Sequence, residues 1–234
     1  MKRALPLLVT LLLASGLVVF RARLSGSQTE AKYVGDETCQ QCHEAQWQAF
    51  QKSPHGRVAK DGAVVADRVG CESCHGPGSA HAEAGGDKSA PGFATIKNLK
   101  KLPPEEASAT CAGCHSGGEQ MYWKHSDHAK NEVGCLQCHS IHHAANVGAG
   151  PMLTTPDVNR LCITCHKQMR AHLAGSGHMP VREGSMTCAH CHNPHGSPAE
   201  HQMRAPTVNE LCLKCHADKR GPFLWEHAAL RENC

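Results

Sequence analysis

The chain has 234 residues, 15 cysteines and 19 histidines, but only nine aromatic residues of the Phe, Trp and Tyr types. A domain of this length normally buries many aromatic and branched aliphatic side chains, so a conventional apolar core is not expected here and another group must fill the interior. Without Lys2, Arg3, Arg21 and Arg23, which precede the cysteine-rich part, 20 basic residues face 21 acidic ones. This balance argues against nucleic acid as a partner.

Residues 1–26 have the pattern of an export signal. Lys2 and Arg3 precede an apolar run of 17 residues from Ala4 to Phe20, which polar residues follow. The run is long for a signal peptide and short for a membrane span, so an uncleaved N-terminal anchor is the alternative. Both alternatives place the cysteine-rich domain, residues 27–234, outside the cytoplasm. We expect a periplasmic protein that is either free, anchored or associated with the outer membrane.

The cysteines follow one motif, Cys-x-x-Cys-His, which uses 14 of the 15. Its seven copies are Cys39/Cys42/His43, Cys71/Cys74/His75, Cys111/Cys114/His115, Cys135/Cys138/His139, Cys162/Cys165/His166, Cys188/Cys191/His192 and Cys212/Cys215/His216. This spacing is the signature of covalent haem c attachment, in which two thiols bind the porphyrin edge and the histidine becomes the proximal iron ligand. Structural zinc or disulfides are the alternatives, but neither needs a histidine after every second cysteine.

A longer repeat groups the motifs in pairs. Residues 156–170 align without gaps on residues 206–220, fifty positions later. The predicted paired repeats are 39–75, 111–139, 162–192 and an incomplete fourth at 212–234. In this register Cys234 is the first cysteine of an eighth motif, and we expect a longer protein of which this chain is a truncated form. A free or otherwise bonded thiol is the alternative.

Seven further histidines are candidates for the distal iron ligands. Four precede the trailing motif of a pair, and three follow one: His55, His128, His178 and His227, then His81, His142 and His195. His142 and His195 stand only three residues after a proximal histidine, too few to reach the opposite face of the same haem. They are therefore expected to bind the irons of neighbouring haems.

The other histidines lack a consistent position in the repeat: His125, His143, His172, His190 and His201. We expect them to be exposed or to bond haem propionates, with His143 as a substitute for His142. Two histidines per iron leave no open coordination position, so the chemistry is electron transfer without catalysis and without a small-molecule substrate. The rival function is a multihaem reductase of a small oxyanion, which needs one open haem.

Short helices and irregular segments are predicted, with little or no β-sheet. Pro104 and Pro156, each followed by an acidic residue, have the pattern of helix starts that lead into a haem motif. Gly- and Pro-rich stretches interrupt the chain, and no sustained alternation of apolar and polar residues favours strands. The expected fold is that of a multihaem cytochrome c organised around a haem array.

Three segments resemble the periplasmic decahaem cytochromes of the MtrA/DmsE type: residues 33–43, 184–197 and 221–234. The resemblance implies bis-histidine haems in an elongated array that serves anaerobic respiration and extracellular electron transfer. It implies a quinol-oxidising multihaem cytochrome or a soluble carrier as donor. On the other side it implies an outer-membrane porin-like barrel with an outer-surface cytochrome or reductase.

Overall fold

The computed structural model describes residues 31–61, 70–143, 152–175, 180–222, 224–225 and 234. From Tyr33 on, these residues belong to one unit of the chain, Tyr33–Cys234, and the unit before it, Met1–Lys32, is described only at its last two residues. The predicted signal peptide therefore lies outside the described residues. Within the described ranges, no helix is long and apolar enough to cross a membrane.

The described part of the chain is built from short helices. The α-helices, in chain order, are α1 Asp36–Gln40, α2 Glu44–Lys52, α3 Pro54–Asp61, α4 Cys71–His75, α5 Ser79–Glu83, α6 Pro104–Ala112, α7 Asp127–Lys130, α8 Cys135–Cys138, α9 Val158–Ile163, α10 Lys167–His172, α11 Cys188–Cys191 and α12 Val208–Cys212. Single 3₁₀ turns lie between them at Pro91–Thr95, Leu99–Lys101, Gly118–Gln120, Trp123–His125, Glu200–Gln202 and Ala217–Lys219.

The two predicted helix starts have different outcomes. Helix α6 begins at Pro104 as predicted, has Glu105 and Glu106 in its first turn, and includes the first cysteine of the third motif. The prediction for Pro156 was wrong by two residues, because α9 begins at Val158. Asp157 is the N-cap there, and its carboxylate accepts a hydrogen bond of 3.1 Å from the backbone N–H of Arg160.

The expectation of little or no sheet is confirmed for the described residues. They contain two isolated antiparallel bridges, His139 with Leu153 and His192 with Met203. Each bridge ties a proximal histidine to the chain that returns after a loop. The helical and irregular architecture is that of a multihaem cytochrome c fold.

Few apolar side chains are buried in the described part of the chain. The buried hydrophobic residues are Phe50, Ala107, Leu153 and Ala205, and two of these four are alanines. Burial of apolar area is the main driving force of folding, and four small or scattered side chains supply little of it. The protein side chains alone therefore do not account for a stable domain of this length, as the composition predicts.

Candidate functional site

Each Cys-x-x-Cys-His motif folds as one helical turn. In the first motif the backbone N–H of His43 donates to the carbonyl of Cys39 at 3.0 Å, and equivalent bonds of 2.9 to 3.0 Å close five other motifs. The remaining motif, Cys71–His75, is itself helix α4. One turn brings the two sulfur atoms to the same side and leaves the histidine at its end. This local shape suits attachment of a porphyrin edge by two thioethers.

A recurring hydrogen bond joins the two motifs of a pair. The residue three positions before the leading motif accepts a bond from the backbone N–H of the first cysteine of the trailing motif. These bonds are Cys71 to Asp36 Oδ1 at 2.8 Å, Cys135 to Ser108 Oγ at 3.1 Å, Cys188 to Asn159 Oδ1 at 2.9 Å and Cys234 to Asn209 Oδ1 at 2.6 Å. Four pairs thus share one contact, and the fourth includes Cys234.

Sequence reasoning missed these four acceptors. Their common signal was present: the third residue before each leading motif is Asp, Ser or Asn, a short side chain with an oxygen acceptor. Short polar side chains of this kind commonly bond to nearby or facing backbone N–H groups. The signal is visible only once the motifs are sorted into leading and trailing members.

The sulfur atoms of consecutive motifs also lie close together. Within pairs, first cysteine meets first cysteine: Cys39 with Cys71, Cys111 with Cys135, Cys162 with Cys188 and Cys212 with Cys234. Between pairs, second cysteine meets second cysteine: Cys74 with Cys114, Cys138 with Cys165 and Cys191 with Cys215. Each motif therefore has as neighbours the motifs that precede and follow it in the sequence.

Cys42 differs from the other thirteen motif cysteines, because it does not take part in this alternation. It is the second cysteine of the first motif, so the series of contacts between second cysteines begins only at Cys74. Its side chain is exposed, and its backbone N–H donates to the carbonyl of Cys39 at 3.3 Å within the turn of the motif. Its attachment to haem stays a prediction from the motif spacing.

The contacts between sulfur atoms change the acidity of the thiols. The hydrogen bond between Cys111 and Cys135 raises the pKa of Cys111 and lowers that of Cys135. Burial raises the pKa of Cys74, and the neighbouring sulfur of Cys114 raises it further. All fifteen cysteines are free of disulfide bonds in the structure. Among the described residues, no group of three or more His, Cys, Asp and Glu side chains is arranged to hold a metal ion by itself.

Five proximal histidines each face one of the distal candidates. The distances between ring centres are 6.2 Å for His43 and His81, 6.2 Å for His75 and His142, 5.8 Å for His115 and His55, 6.0 Å for His139 and His195, and 6.1 Å for His166 and His128. Two candidates, His178 and His227, lie outside the described residues.

The separation of these rings fits a metal between them. Two ring nitrogens at about 2 Å from a shared metal, with each ring centre a further ~1 Å away, place the ring centres roughly 6 Å apart. All five observed separations lie between 5.8 and 6.2 Å. The residues present therefore fit a haem iron with two axial imidazoles.

Each of these histidine pairs joins different parts of the sequence. His142 faces His75 and not His139, which is three residues before it. His195 faces His139 and not His192. The exposed histidines His125, His143, His172, His190 and His201 face none of the described proximal rings, although His143 lies beside His142.

Hydrogen bonds fix the orientation of several imidazoles. Nδ1 donates to a backbone carbonyl in His75 (Lys97, 2.7 Å), His81 (Phe93, 2.7 Å), His128 (Pro194, 2.8 Å) and His192 (His201, 2.9 Å). Because a carbonyl only accepts, Nδ1 must carry the proton. Nε2 then keeps its lone pair for a metal, and the hydrogen bond makes the ring a more basic ligand.

Three other imidazoles lack this bond. The Nδ1 atoms of His55, His142 and His195 are buried and have no hydrogen-bond partner among the residues that the structure describes. Burial lowers the pKa of all three side chains, and the facing proximal histidines, His115, His75 and His139, lower it further. The three rings are therefore neutral at pH 7, the form in which imidazole binds iron.

A serine stands two residues before His55 and before His128, and it has a structural role. Ser126, which is 1% exposed, is the N-cap of α7, and its Oγ accepts from the N–H of Ala129 at 3.1 Å. Ser53 is also buried, and its Oγ accepts from the N–H of Gly56 at 3.1 Å. Each serine fixes the start of the helix whose first turn carries the distal candidate, His128 or His55.

Glycine permits close approach next to two of these histidines. A Cβ atom at Gly196, which has φ +101°, would lie 2.7 Å from the carbonyl oxygen of Tyr122, so this position of the segment after His195 requires glycine. A Cβ atom at Gly56 would collide with the carbonyl oxygen of Phe50. Both glycines thus keep a distal histidine close to a neighbouring backbone.

Two carboxylates lie at the first pair of motifs. Glu72 is buried, and its two oxygens accept from the backbone N–H groups of Val34 (3.0 and 3.1 Å), Gly35 (2.9 Å) and Gly78 (2.7 Å). Asp36 accepts from Cys71. Burial raises the pKa of the Cys39 thiol, and the charges of Glu72 and Asp36 raise it further. Both carboxylates therefore act on the sulfur of the first motif.

Comparison with known proteins supports the chemistry. Residues 126–171 and 178–221 match the family model of the doubled CXXCH motif, and residues 78–140 match that of cytochrome c554 and c-prime. The chain is 31% identical over 201 residues to multiheme cytochrome MtrA of Shewanella baltica (strain OS185). The alignment covers 85% of this chain and 58% of MtrA, so the chain spans less than two thirds of that relative.

Proposed function

Because the chain belongs to the multihaem cytochrome c family, we propose that it carries electrons along a row of covalently attached haems, each held between two histidines. Haem iron, when bound, supplies a one-electron couple between its ferric and ferrous states. The observation that carries the proposal is the set of five histidine pairs whose ring centres are 5.8 to 6.2 Å apart. Each pair would bind a haem iron from both sides, so these five sites would leave no position for a substrate.

We number the haem sites 1 to 7 in the order of their motifs, from Cys39 to Cys212. The proposed proximal and distal ligands are His43 and His81 at site 1, His75 and His142 at site 2, His115 and His55 at site 3, His139 and His195 at site 4, and His166 and His128 at site 5. His178 precedes His216 by 38 residues, as His128 precedes His166, and is the proposed distal ligand at site 7. His227 remains a distal candidate, and the distal ligand at site 6 is not assigned.

The cysteine contacts support transfer from one site to the next. Neighbouring motifs bring their sulfur atoms near one another in sequence order, so bound porphyrins would lie next to each other along the chain. The backbone hydrogen bonds to Asp36, Ser108 and Asn159 fix this approach within pairs. An electron can therefore pass along the chain of sites without a diffusing carrier.

Cys234 is the first cysteine of an eighth attachment motif in this proposal. The backbone N–H of Cys234 donates to Asn209, as that of Cys188 donates to Asn159. The thiol of Cys234 forms a hydrogen bond with that of Cys212, as the thiol of Cys188 does with that of Cys162. The domain assignments, residues 27–234 with four paired repeats, rest on the same contacts. A gene sequence without a second cysteine and a histidine at the spacing of the motif would contradict this assignment.

The likeness to MtrA supports a place in the periplasm between other redox proteins. The proposed donor is a quinol-oxidising multihaem cytochrome or a soluble carrier. The proposed acceptor side is an outer-membrane barrel with an outer-surface cytochrome or reductase, reached after export by the signal at residues 1–26. Neither nucleic acid nor a small-molecule substrate has a role.

Carbon monoxide tests the ligand assignment. The reduced holoprotein is expected to bind no carbon monoxide, because two histidines are proposed for each of sites 1 to 5 and 7, and His227 is the remaining candidate for site 6. The variant His81→Ala opens site 1 and should bind one equivalent, whereas His172→Ala, which removes an exposed histidine, should bind none. Stoichiometric binding to the unaltered protein would contradict the proposal and favour the reductase.

A further inference from the structure

The first pair of motifs differs from the others in charge at the same structural position. Asp36 accepts the N–H of Cys71 with a carboxylate, whereas the equivalent acceptors Ser108, Asn159 and Asn209 are neutral. The residue after the first trailing cysteine differs as well: it is buried Glu72 in the first pair and Leu136 or Ala189 in the next two. Two carboxylates thus lie beside the sulfur atoms of the first pair: both act on Cys39 of site 1, and Asp36 also acts on Cys71 of site 2. The later pairs have none at these positions.

The distal histidines of site 1 and of sites 3 and 4 differ in the hydrogen bonding of their Nδ1 atoms. At site 1, Nδ1 of His81 donates to the carbonyl of Phe93 at 2.7 Å. At sites 3 and 4, the distal rings are His55 and His195, whose buried Nδ1 atoms have no acceptor among the described residues. This second difference is independent of the first, because it concerns other residues on other segments.

Both differences affect the iron in the same direction. A carboxylate near the haem stabilises the ferric form, which carries one more positive charge than the ferrous form. A hydrogen bond from Nδ1 to a carbonyl makes the imidazole a more basic ligand and also favours the ferric form. A buried imidazole without that bond is a weaker donor, and burial disfavours the extra charge of ferric iron.

We propose that the chain has a built-in redox gradient, in which site 1 has a lower reduction potential than sites 3 and 4. The inference rests on the haem ligation proposed above. One electron leaves the ferrous iron of site 1, which becomes ferric, and reaches the ferric iron of site 3 or 4, which becomes ferrous. The gradient favours electron movement from the N-terminal pair toward the second pair and makes Asp36 a residue that tunes the potential.

Site 2 is not included in the comparison because its surroundings have opposing effects. Its proximal His75 donates to the carbonyl of Lys97, and Asp36 lies beside its Cys71, which both lower the potential. Its distal His142 has a buried Nδ1 atom without a partner among the described residues, and Lys100 adds a positive charge, which both raise the potential. The balance between these effects does not follow from the geometry.

Removal of one charge tests the role of Asp36 in the holoprotein. Asp36→Asn keeps an acceptor for Cys71, as Asn159 and Asn209 do in the later pairs, but removes the carboxylate. In a spectroelectrochemical titration the components at the low-potential end should move upward, and those at the high-potential end should stay. Glu183→Gln, which removes an exposed carboxylate far in sequence from every ligand of site 1, is the control and should leave the low-potential end unchanged. An unchanged low-potential end in Asp36→Asn would overturn the proposal.

Two ligand substitutions identify the sites directly. Methionine as an axial ligand raises the potential of its haem and adds a sulfur-to-iron charge-transfer band, so the altered site can be recognised. His81→Met should remove a component from the low-potential end, and His55→Met should remove one from the high-potential end. The reverse assignment would overturn the gradient.

The outcomes separate this inference from the proposed function. A protein whose oxidised spectrum is not that of low-spin, bis-histidine haem contradicts the electron-carrier proposal itself. A bis-histidine protein in which site 1 titrates above sites 3 and 4 contradicts only the gradient. Asp36→Asn keeps every iron ligand, so its result decides the question even if a methionine variant does not accumulate.

Discussion

The first and third pairs of motifs share one hydrogen bond to the backbone, but the side chain that accepts it is charged in the first pair and neutral in the third. In both, the first trailing cysteine donates its N–H to a side chain three residues before the leading motif, Asp36 in one pair and Asn159 in the other. The amide of Asn159 also donates to the carbonyls of Val181 (3.2 Å) and Met186 (3.0 Å). A carboxylate has no proton to donate, so Asp36 contributes charge where Asn159 contributes additional bonds. The geometry of a pair thus requires only an acceptor, and its chemistry can vary.

The largest expected effect is the loss of folded structure in both pairs of motifs when haem is not attached. Protein made without the haem-attachment machinery should be largely unfolded, because the described residues bury only four apolar side chains, among them Phe50 and Leu153. Circular dichroism and amide hydrogen exchange of this apoprotein should show little helix and little protection. A compact, protected apoprotein would contradict the view that haem supplies the core.

Removal of the side chain that accepts from the trailing cysteine should destabilise the third pair more than the first pair. Asn159→Ala leaves one N–H and two carbonyls without their partner, and we expect it to destabilise the third pair by about 2 to 3 kcal/mol. Asp36→Ala leaves one N–H unpaired and should cost about 1 to 2 kcal/mol in the first pair. Hydrogen exchange at Cys188 and Cys71 measures both local costs. Equal effects would mean that the additional bonds of Asn159 contribute nothing.

The buried carboxylate of the first pair should contribute on a similar scale. Glu72→Gln replaces one of two accepting oxygens by an NH₂ group, which cannot accept the bonds from Val34, Gly35 and Gly78 equally well. We expect a loss of about 1 to 2 kcal/mol in local stability, seen as faster exchange at residues 34 and 35. Glu83→Gln, on the exposed side of α5, is the matched control and should not change exchange.

The smallest effect is expected from an ion pair between the second pair of motifs and the segment that follows the third pair. Arg204 contacts Glu119 at 2.7 Å, and the side chains are 29% and 54% exposed. The hydrogen bond from Arg204 lowers the pKa of Glu119, so its contribution is present at neutral pH and is lost as the pH falls through the lowered folded-state pKa. Glu119→Gln should cost less than about 1 kcal/mol at pH 7, with no difference from the unaltered protein at low pH.

The motifs and the fold class were predictable because they depend on local sequence. Seven copies of Cys-x-x-Cys-His indicate their chemistry without any tertiary information, and the helix start at Pro104 follows from proline and acidic residues in its first turn. The start predicted at Pro156 was wrong because Asp157 forms the N-cap. Asp is among the residues preferred at that position, so the helix begins after it and not at the proline. The different position of Cys42 in the series of sulfur contacts was not predictable from the motif, because these contacts depend on which other motif packs against it.

The pairing of histidines was less accessible to sequence reasoning. His55 faces a ring 60 residues later, and His142 faces a ring 67 residues earlier. Such contacts are set by how the repeats pack, so no local pattern specifies them. The short separation of three residues was enough to predict that His142 and His195 do not bind the haem of the motif just before them.

Electron paramagnetic resonance of the fully oxidised holoprotein tests the central claim most directly. Ring planes 19 to 22° apart at sites 1, 2 and 4 and 70 to 83° apart at sites 3 and 5 should give two classes of low-spin ferric signal. The second class should be strongly anisotropic, because perpendicular ligand planes make two iron d orbitals nearly equal in energy. The account predicts low-spin signals of both classes and no major high-spin component. A dominant high-spin signal from five-coordinate iron would contradict it.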